Sequence, residues 1–189
     1  MFSPKIQGVM DRVDQLRTRV DDHWQIPREE ALVLAQIVRV GRFKSLCEVG
    51  VSYGFSTLHL AAAAKGHGGH VHAIDLSDKK IKAATANLTD AGLIDAVTLY
   101  LGDAREVLKT LSPEDPIDFA FIDADKPQSL EYMDALWGKL ADRAVLVTDN
   151  TGTHPEELAD FIKDLHARPG VSSCGVPVGN GFELSIVER

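Results

Sequence analysis

Apolar residues recur at helical spacing near the start of the chain. Ile6, Val9, Met10, Val13, Leu16, Val20 and Trp24 stand among charges, the pattern of an amphipathic surface helix over about 6–24. Pro27 then opens a second helix from Arg28 to about Val40, with Glu29 and Glu30 in its first turn, where acidic groups suit the helix dipole, and Gly41 near its end. From residue 45 the period changes. Short apolar runs, SLCEVGV (45–51), HVHAIDL (70–76), AVTLYLGD (96–103), IDFAFIDA (117–124) and AVLVTDN (144–150), alternate with helical stretches, which predicts βαβ units and a parallel sheet. Ser77 can cap a helix running to about Ala91 with Gly92 behind it. Pro127 suits the first turn of another, and Thr153 or His154 with Pro155 can start a third. VSSCGVPVG and GFELSIVE are joined only through Asn180 and its neighbouring glycines, too short a link for a crossover, so an antiparallel pair is expected there.

These elements describe one doubly wound α/β domain over 1–189, with N-terminal helices in 1–41 and an α/β core in 45–189. A chain of 189 residues can bury such a core unaided, and no repeat or low-complexity linker divides it. Hydrophobic residues at 44% and charged residues at 25% set aside a disordered or fibrous chain. With 28 acidic against 20 basic side chains and a net charge of −8, a generic binder of nucleic-acid backbones is not expected. No stretch approaches the roughly 20 apolar residues that span a bilayer, and the charged N-terminus has no signal-peptide core, so the expectation is a cytoplasmic protein without a membrane partner. Cys47 and Cys174 both sit in apolar runs, where a buried reduced thiol is the commoner state.

In open α/β sheets ligands lie at the carboxyl ends of the strands. Every predicted parallel strand ends there in polar groups: Glu48 and the loop Gly50-Val51-Ser52-Tyr53-Gly54, then Asp75, Asp103, Asp123 to Lys126, and Asp149-Asn150. Each alone has an ordinary explanation, since Asp and Asn are turn and cap residues, but five in succession point to a site. The glycines of loop 50–54 let the backbone approach a ligand and offer N–H groups near a helix N-terminus. Asp75 stands at about the offset where a carboxylate takes a ribose diol, and its plain alternative is a capping turn in Asp75-Leu76-Ser77-Asp78.

On these residues the sequence resembles the class I S-adenosylmethionine-dependent methyltransferases, and within them the cation-dependent O-methyltransferases of the catechol and caffeoyl-CoA type. The likeness covers roughly residues 26–188. It is carried by Glu48 to Thr57, similar to the family's E-x-G-x-x-x-G-x-S loop, by Asp75, by Phe121-Ile122-Asp123-Ala124-Asp125-Lys126 and by Asp149-Asn150. The resemblance implies a Rossmann-like, mostly parallel seven-stranded sheet with an antiparallel C-terminal hairpin. It implies a cofactor site of Glu48, Gly50, Ser52, Tyr53, Gly54, Ser56, Asp75, Leu76, Asp103, Ala104 and Asp123, with Glu48, Gly50 and Ser56 on the methionine side, Asp75 on the ribose and Asp103-Ala104 at adenine. Asp123, Asp149 and Asn150 become the protein ligands of a divalent cation, whose all-oxygen set suits Mg²⁺, or alternatively Ca²⁺ or Mn²⁺. Lys126 becomes the general base toward a hydroxyl of a small, catechol-like acceptor. A homodimer through the N-terminal helices is also implied.

The chain departs from that family in two places. Ser129 stands where an aromatic is usual, although Tyr132 fits, and Asn150 is followed at once by Thr151-Gly152-Thr153-His154-Pro155 without the longer substrate-covering insertion. The acceptor pocket is therefore expected to be open, altered or completed by another subunit. At the terminal hairpin Asn180 replaces a frequent Asp.

Other readings compete. Gly50-Val51-Ser52-Tyr53-Gly54 matches the G-x-S-x-G elbow of α/β-hydrolases, with Ser52 as nucleophile and Asp149 and His154 in a permitted order, but no earlier strands or upstream oxyanion loop precede it. A nicotinamide dehydrogenase fails at the second and third glycines of G-x-G-x-x-G. A non-catalytic S-adenosylmethionine-binding module is the remaining alternative. His67, His70 and His72 flank glycines in what reads as a solvated turn, not a metal site. Asp21-Asp22 reads as a solvated face.

Overall fold

The computed structural model describes residues 2–112 and 115–189. Seven strands, β1 (Ser45–Val49), β2 (His70–Asp75), β3 (Val97–Leu101), β4 (Ile117–Ile122), β5 (Leu140–Asp149), β6 (Val171–Val176) and β7 (Phe182–Val187), form one sheet in the order β3-β2-β1-β4-β5-β7-β6. The first five run parallel. The hairpin expected at the end is present, but its last strand is inserted: β7 pairs antiparallel with both β5 and β6.

Alternation along the strands gives the sheet two apolar faces. Leu46, Phe119, Phe121 and Val147 face one layer, built from α1 (Pro4–Leu16), α2 (Arg28–Gly41), α3 (Phe55–Lys65) and α4 (Asp78–Ala91). Cys47, Val49, Ala120 and Ile122 face the other, built from α5 (Ala104–Thr110), α6 (Ser129–Trp137) and α7 (Ala159–Ala167). Covered on both sides, the sheet gives the continuous apolar runs seen in the sequence. Asp118 ties the start of β1 to β4 by accepting the backbone N–H groups of Lys44 and Ser45 at 2.8 and 3.0 Å.

Strand order reverses between β1 and β4, so a crevice opens beyond their carboxyl ends. The α4 boundaries follow the sequence, with Ser77 capping Lys80 N–H and Gly92 in the left-handed region at φ 72°. Three elements differ from expectation. The first helix stops at Leu16 instead of about 24, because residues 17–27 fold back: Arg17 donates to the Ile26 carbonyl and His23 is buried against Tyr53, ring on ring at 4.4 Å. Trp24 consequently leaves the apolar stripe and is 73% exposed. The helix expected from Thr153 or Pro155 begins only at Ala159, since His154 N–H returns to Asn150 and the intervening residues form turns.

His70 and His72 lie within β2 and not in a loop, half-buried, bonded to Thr98 Oγ1 at 2.8 Å and Tyr100 Oη at 3.0 Å. Cys47 is buried as expected, whereas Cys174, on the edge strand β6, is exposed. Asp22 is no idle surface charge: it accepts from Tyr53 Oη and Lys79 Nζ, both at 2.8 Å. Among the described residues no helix is long and apolar enough to cross a membrane.

Candidate active site

A cleft of about 870 Å³ lies at the carboxyl ends of β1 to β5. A second hollow on the outer face of α2, walled by Leu32, Val33, Ile37, Val40 and Phe43 with Gln36, is almost wholly apolar.

The cleft floor begins at the β1–α3 turn. Gly50 has φ +97°, and a Cβ there would lie 1.9 Å from the Asp123 carbonyl oxygen, so only glycine lets the β1 and β4 loops close on each other. Asp75, at the end of β2, accepts the backbone N–H groups of Val51 and Ser52 at Oδ2 (3.1 and 2.9 Å) and of Ser77 at Oδ1 (2.8 Å). It thus builds the loop and still faces the cleft, with carboxylate lone pairs left for a diol. The residue of the capping turn and the candidate binding carboxylate are one and the same.

Beneath the loop, Glu48 is fully buried and accepts Thr57 Oγ1 at 2.6 Å. Burial pushes its carboxyl up to about 8, against the pull of the Ser56 and Thr57 hydroxyls. Its Oε1 has no hydrogen-bond partner. A buried acceptor without a donor fits a ligand amino group, which is the fit the methionine end of the cofactor requires.

Ser52, Ser56, Leu76, Asp103 and Ala104 all line the cleft, as does Tyr132 from α6. Asp103 carries more structural work than the sequence suggested. It caps α5 through Arg105 N–H at 2.9 Å, and it takes the Arg105 guanidinium, which also reaches Glu131. These hydrogen bonds hold the Asp103 carboxyl below its ordinary value. Tyr53, Gly54 and the fully buried Glu48 do not line the cleft; Tyr53 turns toward Asp22 and His23, a packing role.

At the other end Asp123, Lys126, Asp149 and Asn150 come together. Lys126 Nζ donates to Asp123 Oδ1 at 2.9 Å and to the Ala124 carbonyl at 2.8 Å. Asn150, at φ 71°, donates Nδ2 to Thr153 Oγ1 at 3.1 Å, so its side-chain Oδ1 is the amide atom not used in that bond. Asp149 is fully buried, its carboxyl raised by burial and then by the Asp123 charge, and its Oδ1 lacks a partner. Among the described residues no three His, Cys, Asp or Glu side chains form a metal cluster. The candidate set has two carboxylates and an amide, and the orphaned Asp149 oxygen beside a second carboxylate fits an oxygen-loving cation.

The hydrolase reading finds no support in the geometry, because Ser52 Oγ has no hydrogen-bond partner and so no histidine to activate it. Sequence reasoning missed Trp24, Lys80 and Glu157, which line the cleft, and gave His154 a place only in the hydrolase reading, although it lines the cleft too. Lys80 stands with its ammonium 4.6 Å from the Trp24 ring centroid. Only the short spacing from Asn150 to His154 hinted at this wall. The 151–154 turn is pinned against the hairpin by Thr151 N–H to Gly181 and Gly152 N–H to Asn180, at 2.9 and 3.0 Å.

The profile of a methyltransferase-domain family matches residues 47–151, the stretch that supplies nearly all of these groups. The chain belongs to that family of methyltransferase domains. It is 30% identical over 198 residues to tricin synthase 1 of Oryza sativa subsp. japonica, covering 89% of this chain and 78% of that protein. It is 39% identical over 109 residues to a catechol O-methyltransferase of Mycobacterium tuberculosis, a match covering 57% of this chain and only 48% of that relative's length. In solved structures, an O-methyltransferase from Bacillus cereus in complex with SAH superposes with a TM-score of 0.84 at 26% identity, over 96% of this chain and 91% of that one.

Proposed function

We propose that this chain moves a methyl group from S-adenosylmethionine to a hydroxyl of a small, catechol-like acceptor with the help of a divalent cation. The observation that carries the reading is the single cleft in which Gly50, Asp75 and Asp103-Ala104 adjoin Asp123, Lys126, Asp149 and Asn150. The O-methyltransferase relatives support the transfer, and the orphaned oxygens of Glu48 and Asp149 support the two ligands.

Glu48 and the loop hold the methionine end, Asp75 the ribose hydroxyls, and Leu76 with Asp103-Ala104 the base. Asp123, Asp149 and Asn150 would hold Mg²⁺, or Ca²⁺ or Mn²⁺, which supplies an oxygen anchor and acidifies an acceptor hydroxyl. Lys126, as the neutral amine, would take that proton at Nζ, and the acceptor oxygen would attack the sulfonium methyl in line as the S–CH3 bond breaks and S-adenosylhomocysteine leaves. No covalent enzyme intermediate is needed, so orientation supplies most of the acceleration, up to about 7–11 kcal/mol in well-positioned systems. A homodimer through the N-terminal helices belongs to the same reading, and light scattering tests it.

Thermal-shift titration with S-adenosylmethionine, S-adenosylhomocysteine and NAD, each with Mg²⁺ or chelator, is the first test. A bound cofactor at about 100 times its Kd stabilises by about 2.7 kcal/mol. Silence toward both sulfur ligands would sink the proposal, and binding without Mg²⁺-dependent methylation of any catechol would leave the non-catalytic module in its place.

A further inference from the structure

Glu30 sits in the first turn of α2, outside the cleft lining, and none of the chemistry above uses it, yet its side chain is fully buried. Carboxyl groups are seldom buried whole unless something pairs with them. Its partners come from the far end of the chain. Asn180 donates its backbone N–H to Glu30 Oε2 at 3.0 Å, and the Asn180 side chain donates Nδ2 to Asp149 Oδ2 at 3.2 Å. Glu30 and Asp149 also meet directly, carboxyl to carboxyl. The fit is close: at Gly179, φ +63°, a Cβ would come within 2.4 Å of Glu30 Oε2.

Three elements remote in sequence therefore converge on the Asp149 carboxyl: α2, the end of β5 and the β6–β7 turn. Asn180 takes one oxygen of each acid, and the other two, Glu30 Oε1 and Asp149 Oδ1, are buried with no donor except a proton shared between the two carboxyls. A carboxylate tied at one oxygen cannot swing freely, so its second oxygen keeps a fixed direction. Asn at 180 matters here, since its amide supplies a donor that an ionised Asp lacks.

We propose that Glu30 and Asn180 are positioning residues for the divalent cation, bracketing Asp149 from behind so that its carboxylate is aimed before the ion arrives. The inference rests on the cation reading given under the proposed function. Outer partners that hold a ligating carboxylate are commonly worth about 10–100-fold in metal affinity.

The test is titration of the full chain with Mn²⁺ in the presence of S-adenosylhomocysteine, followed by the electron paramagnetic resonance of free Mn²⁺, beside calorimetry of S-adenosylhomocysteine in chelator. Glu30→Asp, which withdraws the carboxyl by one methylene, and Asn180→Ala, which removes the amide donor, should each weaken Mn²⁺ binding at least about tenfold. Glu30→Gln keeps the length and a donor toward Asp149, and should stay within about threefold of the parent. S-adenosylhomocysteine affinity should be unchanged in all three. If Glu30→Asp fails to fold, Asn180→Ala decides. Parental Mn²⁺ affinity in these two variants overturns the proposal, and so does a parallel loss of S-adenosylhomocysteine affinity, which marks a merely structural role. A parent chain that takes up no Mn²⁺ removes the cation reading itself together with this inference, a result distinct from variants that bind as the parent does.

Discussion

Replacing Asp75 by Ala separates a carboxylate that serves only a ligand from one that also builds its loop. Three backbone N–H groups, of Val51, Ser52 and Ser77, end on this side chain at 2.8 to 3.1 Å. A hydrogen bond to a charged acceptor contributes about 1.5–3 kcal/mol, so three give an upper limit of roughly 4.5–9 kcal/mol. The site is half open, and water can take over part of the work, which brings the expected loss to about 2–4 kcal/mol. For a chain of this size that is a fall in Tm of about 5–15 °C. Circular dichroism melts of parent and Asp75→Ala, without ligand and then with S-adenosylhomocysteine, read both roles. The ligand-free melt should drop by that amount, and the ligand-induced rise should vanish. A variant that melts within about 2 °C of the parent yet no longer responds to S-adenosylhomocysteine would refute the structural half of the argument. A variant that loses stability but keeps its ligand response would refute the other half.

Gly50→Ala should cost at least about 3 kcal/mol in urea denaturation, because its Cβ would meet the Asp123 carbonyl at a positive φ, and a parental midpoint would contradict this. His59, buried in α3 with Nδ1 on the Phe55 carbonyl, is pushed down to about 4 by burial, from an ordinary 6.5. The unfolded chain therefore binds its proton more readily: stability from this group is complete above pH 6.5 and falls as the pH drops toward 4, by up to the order of 3 kcal/mol. His59→Gln should flatten that part of the stability profile, and an unchanged slope would point to other groups. Lys126→Ala should leave S-adenosylhomocysteine affinity near the parent value while lowering methyl transfer by about 10²–10⁴, and undiminished turnover would show that it is not the base.

The strands and their polar ends were legible because a sheet covered on both faces writes its burial into local sequence, and strand ends follow from where each run stops. Thus Asp75, Asp103, Asp123 and Asp149 stand where the apolar runs of β2 to β5 stop. Other features depend on partners that periodicity does not report. The apolar spacing of α1 continues through Val20 and Trp24, but the chain turns after Leu16 because His23 packs on Tyr53, and Trp24 reaches the cleft rim instead. Tyr53 lay within the cofactor motif yet points out of it, since its hydroxyl has Asp22 to bond. Pro155 is a fair helix opener locally, but hydrogen bonds from the hairpin hold that stretch in turns. Glu30 looked like a first-turn acid for a helix dipole; its contact with Asn180 spans 150 residues, beyond the reach of any spacing rule.

The insertion of β7 between β5 and β6 has a consequence for how the chain comes into being. Residues 182–187 are synthesised after the six other strands, yet they fill an interior place in the sheet. Until they emerge, β5 offers an unpaired edge running through Val145, Leu146 and Val147, the kind of surface that recruits strands from other molecules. The same late segment carries Asn180 to Asp149 and Glu30. The β1–β2 half, with Asp75 and its loop, draws on contacts already in hand, so the Asp75 end of the cleft can take shape while the Asp149 end waits for the β6–β7 turn.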